Sequence, residues 1–222
     1  MAIGKFKIQN ANMRHVTVTL PTYYKKDFKQ ITWQEYGVLL DQLHKKVSTH
    51  VKKHRIIIDA VVPVLRGGMV PALFLGHKLH ILKCMPVQYK YFFKGKKIQL
   101  KKLFDFPRLA FPLPKKPTFL LVEGNHCFGL TAKTAVKDLK KAFPGCTILY
   151  VADFVDYSHQ NEVPAEKVFY GKLTNETRGL SEKKAHVLGI GNELNLYPWE
   201  DLEEEWVTVQ GKQFPYKDLK NL

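Results

Sequence analysis

An α/β fold, with a mostly parallel central sheet flanked by helices and a small hood, is predicted by two strand-turn-helix units in this sequence. Phe119-Leu120-Leu121-Val122 is a continuous apolar run, the pattern of a strand buried on both faces. It enters a glycine-containing turn through Glu123-Gly124-Asn125-His126-Cys127-Phe128-Gly129-Leu130-Thr131. Ala132 to Ala142 then has helical periodicity through Ala135, Val136 and Leu139. The second unit is the buried-strand pattern Arg55 to Leu65, which ends in Arg66-Gly67-Gly68 and continues into Met69 to Leu79. Both turns lie at strand carboxyl ends, where ligands collect in open α/β sheets and where orphan helix-start amides favour anions. Gly67 and Gly68 let the backbone approach a ligand closely, and Arg66 is a planar, permanently charged donor suited to phosphate oxygens. A tight turn beside a solvated arginine is the other reading of the same residues.

The remaining elements are taken in chain order. Arg14 to Leu20 alternates like a strand. Ile31-Thr32-Trp33-Gln34-Glu35-Tyr36 opens a helix whose solvent side carries Lys45-Lys46 and Lys52-Lys53-His54-Arg55, read as a solubilising face. Between the two units, Lys90-Tyr91-Phe92-Phe93-Lys94-Gly95-Lys96-Lys97-Ile98-Gln99-Leu100-Lys101-Lys102 interleaves aromatics with lysines. Three readings are open there: a hairpin with its aromatics facing the core, a mobile lid, or a surface that stacks and neutralises nucleic acid. Pro107, Pro112, Pro114 and Pro117 break regular structure before the Phe119 strand, and Thr147 to Ala152 is the next strand. The whole is read as a single domain over 1–222, with a core of residues 31–180 and a hood from 1–30 and 181–222.

Four of these segments resemble the type I phosphoribosyltransferases, especially the branch handling six-oxopurines such as xanthine, guanine and hypoxanthine. Ile31 to Tyr36 is similar to the family's opening, and Val64 to Ala72 to its pyrophosphate loop. Phe119 to Thr131 stands in the place of the loop that binds phosphoribosyl pyrophosphate (PRPP). Leu196-Tyr197-Pro198-Trp199-Glu200 is similar to a Phe-Pro-Trp-Glu signature that closes the base pocket. The resemblance implies transfer of 5-phosphoribose between PRPP and a purine-like nucleobase, with release of pyrophosphate and with Mg2+ as cofactor. It places Leu65, Arg66, Gly67 and Gly68 on pyrophosphate, and Glu123 on the ribose hydroxyls and, through the substrate, on the metal. The backbone from Phe128 through Gly129, Leu130 and Thr131 falls on the 5′-phosphate, with Trp199 on the base, as a stacking face or as core packing. Lys90, Lys94, Lys96 and Lys97 fall in the family's flexible loop.

The chain departs from the family pattern where the chemistry is concentrated. Two adjacent acids normally hold ribose, and here Glu123 is followed by Gly124. An Asp near the purine is Cys127, a thiol that ionises far less readily than a carboxyl group. A phosphate-binding Thr is Phe128. Cys127 and His126 are therefore candidate substitutes in proton transfer, His126 being otherwise an exposed loop residue. A second function class arises from the same departures: a catalytically impaired homologue that senses a nucleotide, or binds nucleic acid through its basic face.

With 222 residues, 45% of them hydrophobic, the chain is long enough for a substantial core. The three cysteines, Cys84, Cys127 and Cys146, lack metal-ligand spacing and are read as free thiols. No apolar run long enough to span a bilayer and no secretory leader is present, so a cytoplasmic protein without membrane contact is expected. The formal charge of +15 exceeds what one small phosphorylated substrate requires. The acidic run Glu200-Asp201 and Glu203-Glu204-Glu205 opposes that trend and is read as a contact with another subunit in a homo-oligomer.

Overall fold

The computed structural model describes the backbone of residues 5–10, 13–19, 21–94, 97–107 and 109–216, and the side chains of 21–92, 99–107 and 109–216. In chain order the elements are β1 (Lys5–Asn10), β2 (Met13–Thr19), β3 (Phe28–Gln30), α1 (Trp33–His54), β4 (Ala60–Leu65), α2 (Met69–Lys78), β5 (Val87–Lys94) and β6 (Lys97–Phe104). They continue with β7 (Thr118–His126), α3 (Leu130–Ala142), β8 (Thr147–Asp156), β9 (Lys167–Thr174), α4 (Glu182–Val187), β10 (Leu194–Leu196) and α5 (Leu202–Val209).

One eight-stranded sheet runs β2-β1-β6-β5-β4-β7-β8-β9, and β10 pairs with β3 in a small second sheet. The five strands β5-β4-β7-β8-β9 are mutually parallel. β6 turns back antiparallel to β5, β1 lies parallel to β6, and β2 pairs antiparallel to β1. This is the mostly parallel, helix-flanked architecture expected from the sequence. Arg14 to Leu20 corresponds to β2, at the edge of the main sheet, with Leu20 outside the described residues.

Burial on both faces explains the continuous apolar strands. Along β7, Phe119 and Leu121 point into a cluster with Ala135, Val136 and Leu139 of α3, while Leu120 and Val122 point into one with Leu43 and Val47 of α1 and Leu75 of α2. Each such side chain contributes about 1.5–3 kcal/mol on burial, so both faces must be covered. The α1 helix starts in a capping box: the Thr32 hydroxyl accepts from the Glu35 amide at 3.1 Å and the Glu35 carboxylate accepts from the Thr32 amide at 2.7 Å. It stops at Arg55, whose left-handed φ of 52° ends the helical path. This corrects the strand start: pairing begins at Ala60, because Arg55 caps α1 and residues 56–59 connect, leaving Ile57 80% exposed.

The lysine-aromatic segment is a hairpin of β5 and β6, with Tyr89 and Leu100 buried in the core. Of its own aromatics, Tyr91 packs against the core, as the hairpin reading expects. Among the described residues no helix is long and apolar enough to cross a membrane. The register that shapes the cleft is the parallel pairing of Pro63 with Val122, which sets the turn after β4 beside the end of β7.

Candidate phosphoribosyl site

A cleft of about 250 Å³ opens at the carboxyl ends of β4 and β7, against the first half of β5. It is bounded by Val64 to Gly68, Gln88 to Tyr91, Glu123 to Asn125, Thr131, Tyr197, Glu200 and Glu205. The turn after β4 must be glycine at position 68, where a Cβ would lie 2.2 Å from the Val122 carbonyl oxygen and 2.6 Å from that of Val64. The Leu65–Arg66 peptide is cis.

Gly67 and Gly124 meet back to back, and this contact accounts for the missing second acid. A Cβ on Gly124 would lie 2.8 Å from the Tyr197 hydroxyl and 3.0 Å from the Gly67 carbonyl carbon. The Tyr197 phenol thus fills the space that a side chain at 124 would need. That hydroxyl is buried and has no hydrogen-bond partner, and neither has Oδ1 of the fully buried Asp153, whose Oδ2 accepts from Tyr36 at 2.8 Å. Burial pushes Asp153 up from 3.8 to about 8, against the lowering effect of the hydrogen bond from Tyr36.

Glu123 lines the cleft but is tied to the core behind it. The Tyr150 hydroxyl donates to Glu123 Oε2 at 2.5 Å, and His126 Nδ1 stands 3.0 Å from that same hydroxyl. Nε2 of His126 faces the His159 carbonyl oxygen at 3.2 Å and so must carry a proton, because a carbonyl only accepts. With the Tyr150 proton on Glu123, Nδ1 would need a second proton and the ring would be a buried imidazolium. Burial holds His126 down to about 4 and pushes Glu123 up to about 7. Both shifts favour the neutral forms of the two groups. Glu123, Tyr150 and His126 are linked in one buried chain of hydrogen bonds behind the cleft.

His126 is therefore no exposed loop residue. It is the last residue of β7, buried to 1% exposure, with its ring pressed against Gly129. Cys127 also turns away from the cleft. Burial, together with the carboxylates of Glu176 and Asp156, holds its thiol far above the ordinary range, which makes it unfit as a base at neutral pH. Phe128 packs edge-on to His159 at 5.4 Å. Gly129, in the left-handed region at φ 66°, caps α3 without a side-chain hydrogen bond. The amides of Leu130, Thr131 and Ala132 therefore have neither an intrahelical partner nor a side-chain cap, and Thr131 brings this helix start to the cleft. Trp199 stacks behind Tyr197 at 4.8 Å and 12°, so the ring on the cleft wall is that of Tyr197.

The C-terminal segment folds over the cationic side of the cleft. Arg66 is hydrogen-bonded and ion-paired to Glu204, and its guanidinium lies 5.4 Å from the Tyr216 ring. Lys90 donates to the Tyr216 hydroxyl at 2.8 Å, and burial, then nearby Arg66, lowers its pKa. Glu200, pushed up to about 7 by burial, and Glu205 complete the wall. Of the other flexible-loop candidates, the side chains of Lys94 and Lys97 and the whole of Lys96 lie outside the described residues.

Tyr89, Tyr91, Asn125, Tyr197, Glu200 and Glu205 are cleft residues that sequence reasoning missed. Tyr197 and Glu200 flank Pro198 and Trp199 in the Leu196 to Glu200 motif, and Asn125, Tyr91 and Glu205 lie in the other quoted segments, but nothing in the sequence singled them out within those segments. Tyr91 reaches Thr131 Oγ1 at 3.1 Å across two elements that share no motif. Among the described residues no group of three or more His, Cys, Asp or Glu is placed to hold a metal ion.

No protein-family model matches the sequence, and no curated protein does. Solved structures do match by shape. A purine phosphoribosyltransferase from Pyrococcus horikoshii superposes with a TM-score of 0.56 at 17% identity, covering 79% of this chain and 95% of that one. A xanthine-guanine-hypoxanthine phosphoribosyltransferase from Helicobacter pylori gives 0.55 at 15% identity, covering 82% and 99%. A Neisseria gonorrhoeae protein with bound ppGpp gives 0.54 at 16% identity, covering 82% and 97%. The chain has the fold of the type I purine phosphoribosyltransferases, and its cleft lies where two strand-to-helix turns of that fold converge.

Proposed function

We propose that the cleft binds PRPP and transfers its 5-phosphoribosyl group to a purine-like nucleobase, releasing pyrophosphate. The observation that carries this reading is the convergence of Leu65 to Gly68, Glu123 and Thr131, distant in sequence, on one cleft at the carboxyl ends of β4 and β7. Arg66 and Lys90 supply cations for the pyrophosphate, and the uncapped amides at the start of α3 suit the 5′-phosphate. Glu123 faces the ribose hydroxyls, with the buried Tyr197 phenol filling the place of the second acid. Trp199, partly exposed and stacked on the Tyr197 ring, offers the base an apolar face.

In the reaction the bond from C1′ to the pyrophosphate oxygen breaks, the electron pair leaves with pyrophosphate, and the base nitrogen bonds to C1′. The base nitrogen then gives up its proton to solvent or a phosphate oxygen, because Cys127 is outside the cleft. Losing such proton transfer costs about 10²–10⁴ in rate, so slow turnover is expected. Magnesium would enter with the substrate, where it would neutralise charge on the departing pyrophosphate, and Glu123 would reach it through the substrate.

A second reading, nucleotide sensing without turnover, is favoured by the ion pair between Arg66 and Glu204, which occupies the cation that pyrophosphate needs. Calorimetric titration with PRPP and magnesium, followed by a base screen for pyrophosphate release, separates the two. Micromolar binding with release that is lost in Arg66→Ala supports transfer. Binding without release from any base supports sensing. Absence of heat at millimolar PRPP overturns transfer and leaves sensing to a titration with purine nucleotides, whose failure overturns that reading too; unchanged turnover in Arg66→Ala overturns the assignment of Arg66.

A further inference from the structure

On the opposite side of the molecule from the α3 helix start, α1 and β9 enclose a second, open cleft of about 680 Å³. It is lined by Gln42, Lys45, Lys46, Thr49, His50, Lys53 and His54 of α1 with Lys167 and Phe169 of β9. The α1 residues recur at intervals of three and four, so they form one stripe on one helix face. From Gln42 to His54 that stripe is about 18 Å long at 1.5 Å per residue. The basic run that reads in sequence as a solubilising face is therefore the wall of a concave surface.

Its charge is unbalanced. No carboxylate lines the cleft, and among the described residues none of Lys45, Lys46, Lys53 and Lys167 enters a salt bridge, although Lys25, Lys102 and Lys133 each do. The nearest acid in sequence to Lys167, Glu166, is turned away to accept from the Ile148 amide at 2.8 Å. Lys46 is held in place by donating to the Tyr170 carbonyl at 2.7 Å and the Gly171 carbonyl at 3.5 Å, which leaves one of its ammonium donors free. The imidazole of His50, 4.4 Å from that of His54 and edge-on to Phe169 at 5.3 Å, is pushed down by burial and then by His54, Lys167 and Lys53. Like charges are thus concentrated here without internal compensation, in a chain whose other described basic segment, the β5–β6 hairpin, turns Lys90 and Lys102 onto internal partners.

We propose that this cleft seats the sugar-phosphate backbone of a nucleic acid strand. Its length decides against a compact oligophosphate: a stripe of about 18 Å is matched by about five successive phosphates at 3.4 Å of rise per strand residue. Lys45 and Lys46 on one turn of α1, Lys53 about 12 Å further along the helix and Lys167 across on β9 meet that ladder at separate points, while a pyrophosphate would engage one end of it. This surface is separate from the phosphoribosyl cleft, and its role does not depend on what that cleft binds.

The test is fluorescence anisotropy with a labelled 20-nucleotide RNA and a 20-base-pair DNA duplex, from 50 to 200 mM salt. Four phosphate contacts predict log-log slopes of about −2.8 for the single strand and −3.6 for the duplex, and so losses of about 50-fold and 150-fold across that range. The paired charge reversal Lys45→Glu with Lys53→Glu, both exposed on α1, should at least halve the slope and weaken binding more than tenfold. PRPP binding and thermal unfolding should stay unchanged. Unaltered affinity in that variant, or an equal loss in the hairpin variant Lys101→Glu, would overturn the assignment. So would displacement of the labelled strands by micromolar inorganic tripolyphosphate, with a salt slope near −1, which would give the cleft to a small oligophosphate instead.

Discussion

Replacing Gly124 by alanine tests the back-to-back contact that shapes the cleft at the ends of β4 and β7. The added methyl would start 2.8 Å from the Tyr197 hydroxyl and 3.0 and 3.1 Å from the Gly67 carbonyl carbon and oxygen. Neither neighbour moves freely: Tyr197 is stacked on Trp199 and packed edge-on against Tyr36, and Gly67 is backbone in a turn locked by Gly68. Overpacking of this kind costs about 1–3 kcal/mol. In a domain of this size each kcal/mol corresponds to about 2–4 °C, so Tm should fall by about 2–12 °C. Chemical denaturation should show a lower midpoint at unchanged m, because the perturbation is local and the exposed surface on unfolding is the same. The Tyr197→Phe variant supplies the control. Removing an unpartnered buried hydroxyl should be close to neutral for stability, and adding Gly124→Ala in that background should cost less than in the parent, since one of the contacts is gone. Full stability of Gly124→Ala, or equal losses in the two backgrounds, would refute the idea that the phenol and the Gly67 turn together exclude a side chain at 124.

The buried charges give two further expected outcomes. Because the folded chain raises Asp153 from 3.8 to about 8, it retains a proton that the unfolded chain releases above about pH 4. That group's contribution is present at low pH and is lost as pH rises toward 8, at up to about 1.4 kcal/mol per unit. Urea unfolding of Asp153→Asn between pH 5 and 7 should show a shallower fall than the parent, while His126, lowered to about 4, acts in the opposite sense below about pH 6.5 in both proteins. Identical pH dependence would mean that Asp153 is ionised in the fold. Separately, Glu204→Gln should release Arg66 from its ion pair and tighten pyrophosphate binding several-fold by calorimetry; no change would mean that Arg66 is already available to the ligand.

The architecture was legible because burial on both sheet faces writes itself as uninterrupted runs such as Phe119 to Val122 and Ala60 to Leu65. Boundaries were less so. Arg55 to Ile58 has strand composition, yet a left-handed Arg55 and the docking of Ile56 and Ile58 beneath α1 make it a connector, a choice fixed by the helix end rather than by propensity. In the site, Arg66, Gly67, Gly68, Glu123 and Thr131 were readable because backbone requirements and charge are local properties. The place of His126 was not, since its burial depends on Tyr150, 24 residues away on the neighbouring strand. Tyr197 was overshadowed by Trp199: period and composition cannot say which of two stacked rings meets the cleft. The engagement of Arg66 and Lys90 by Glu204 and Tyr216 joins segments 126 or more residues apart, beyond what spacing can report.

The contact among Gly67, Gly124 and Tyr197 also constrains how this protein can change. A codon change that returns an acidic side chain to position 124 meets the phenol and the Gly67 turn before it can meet a sugar. Loss of the phenol first removes the hydroxyl that fills the vacancy. The choice of residue at 124 is therefore tied to the choice at 197: a side chain can enter the cleft at 124 only where the phenol has first given up its space.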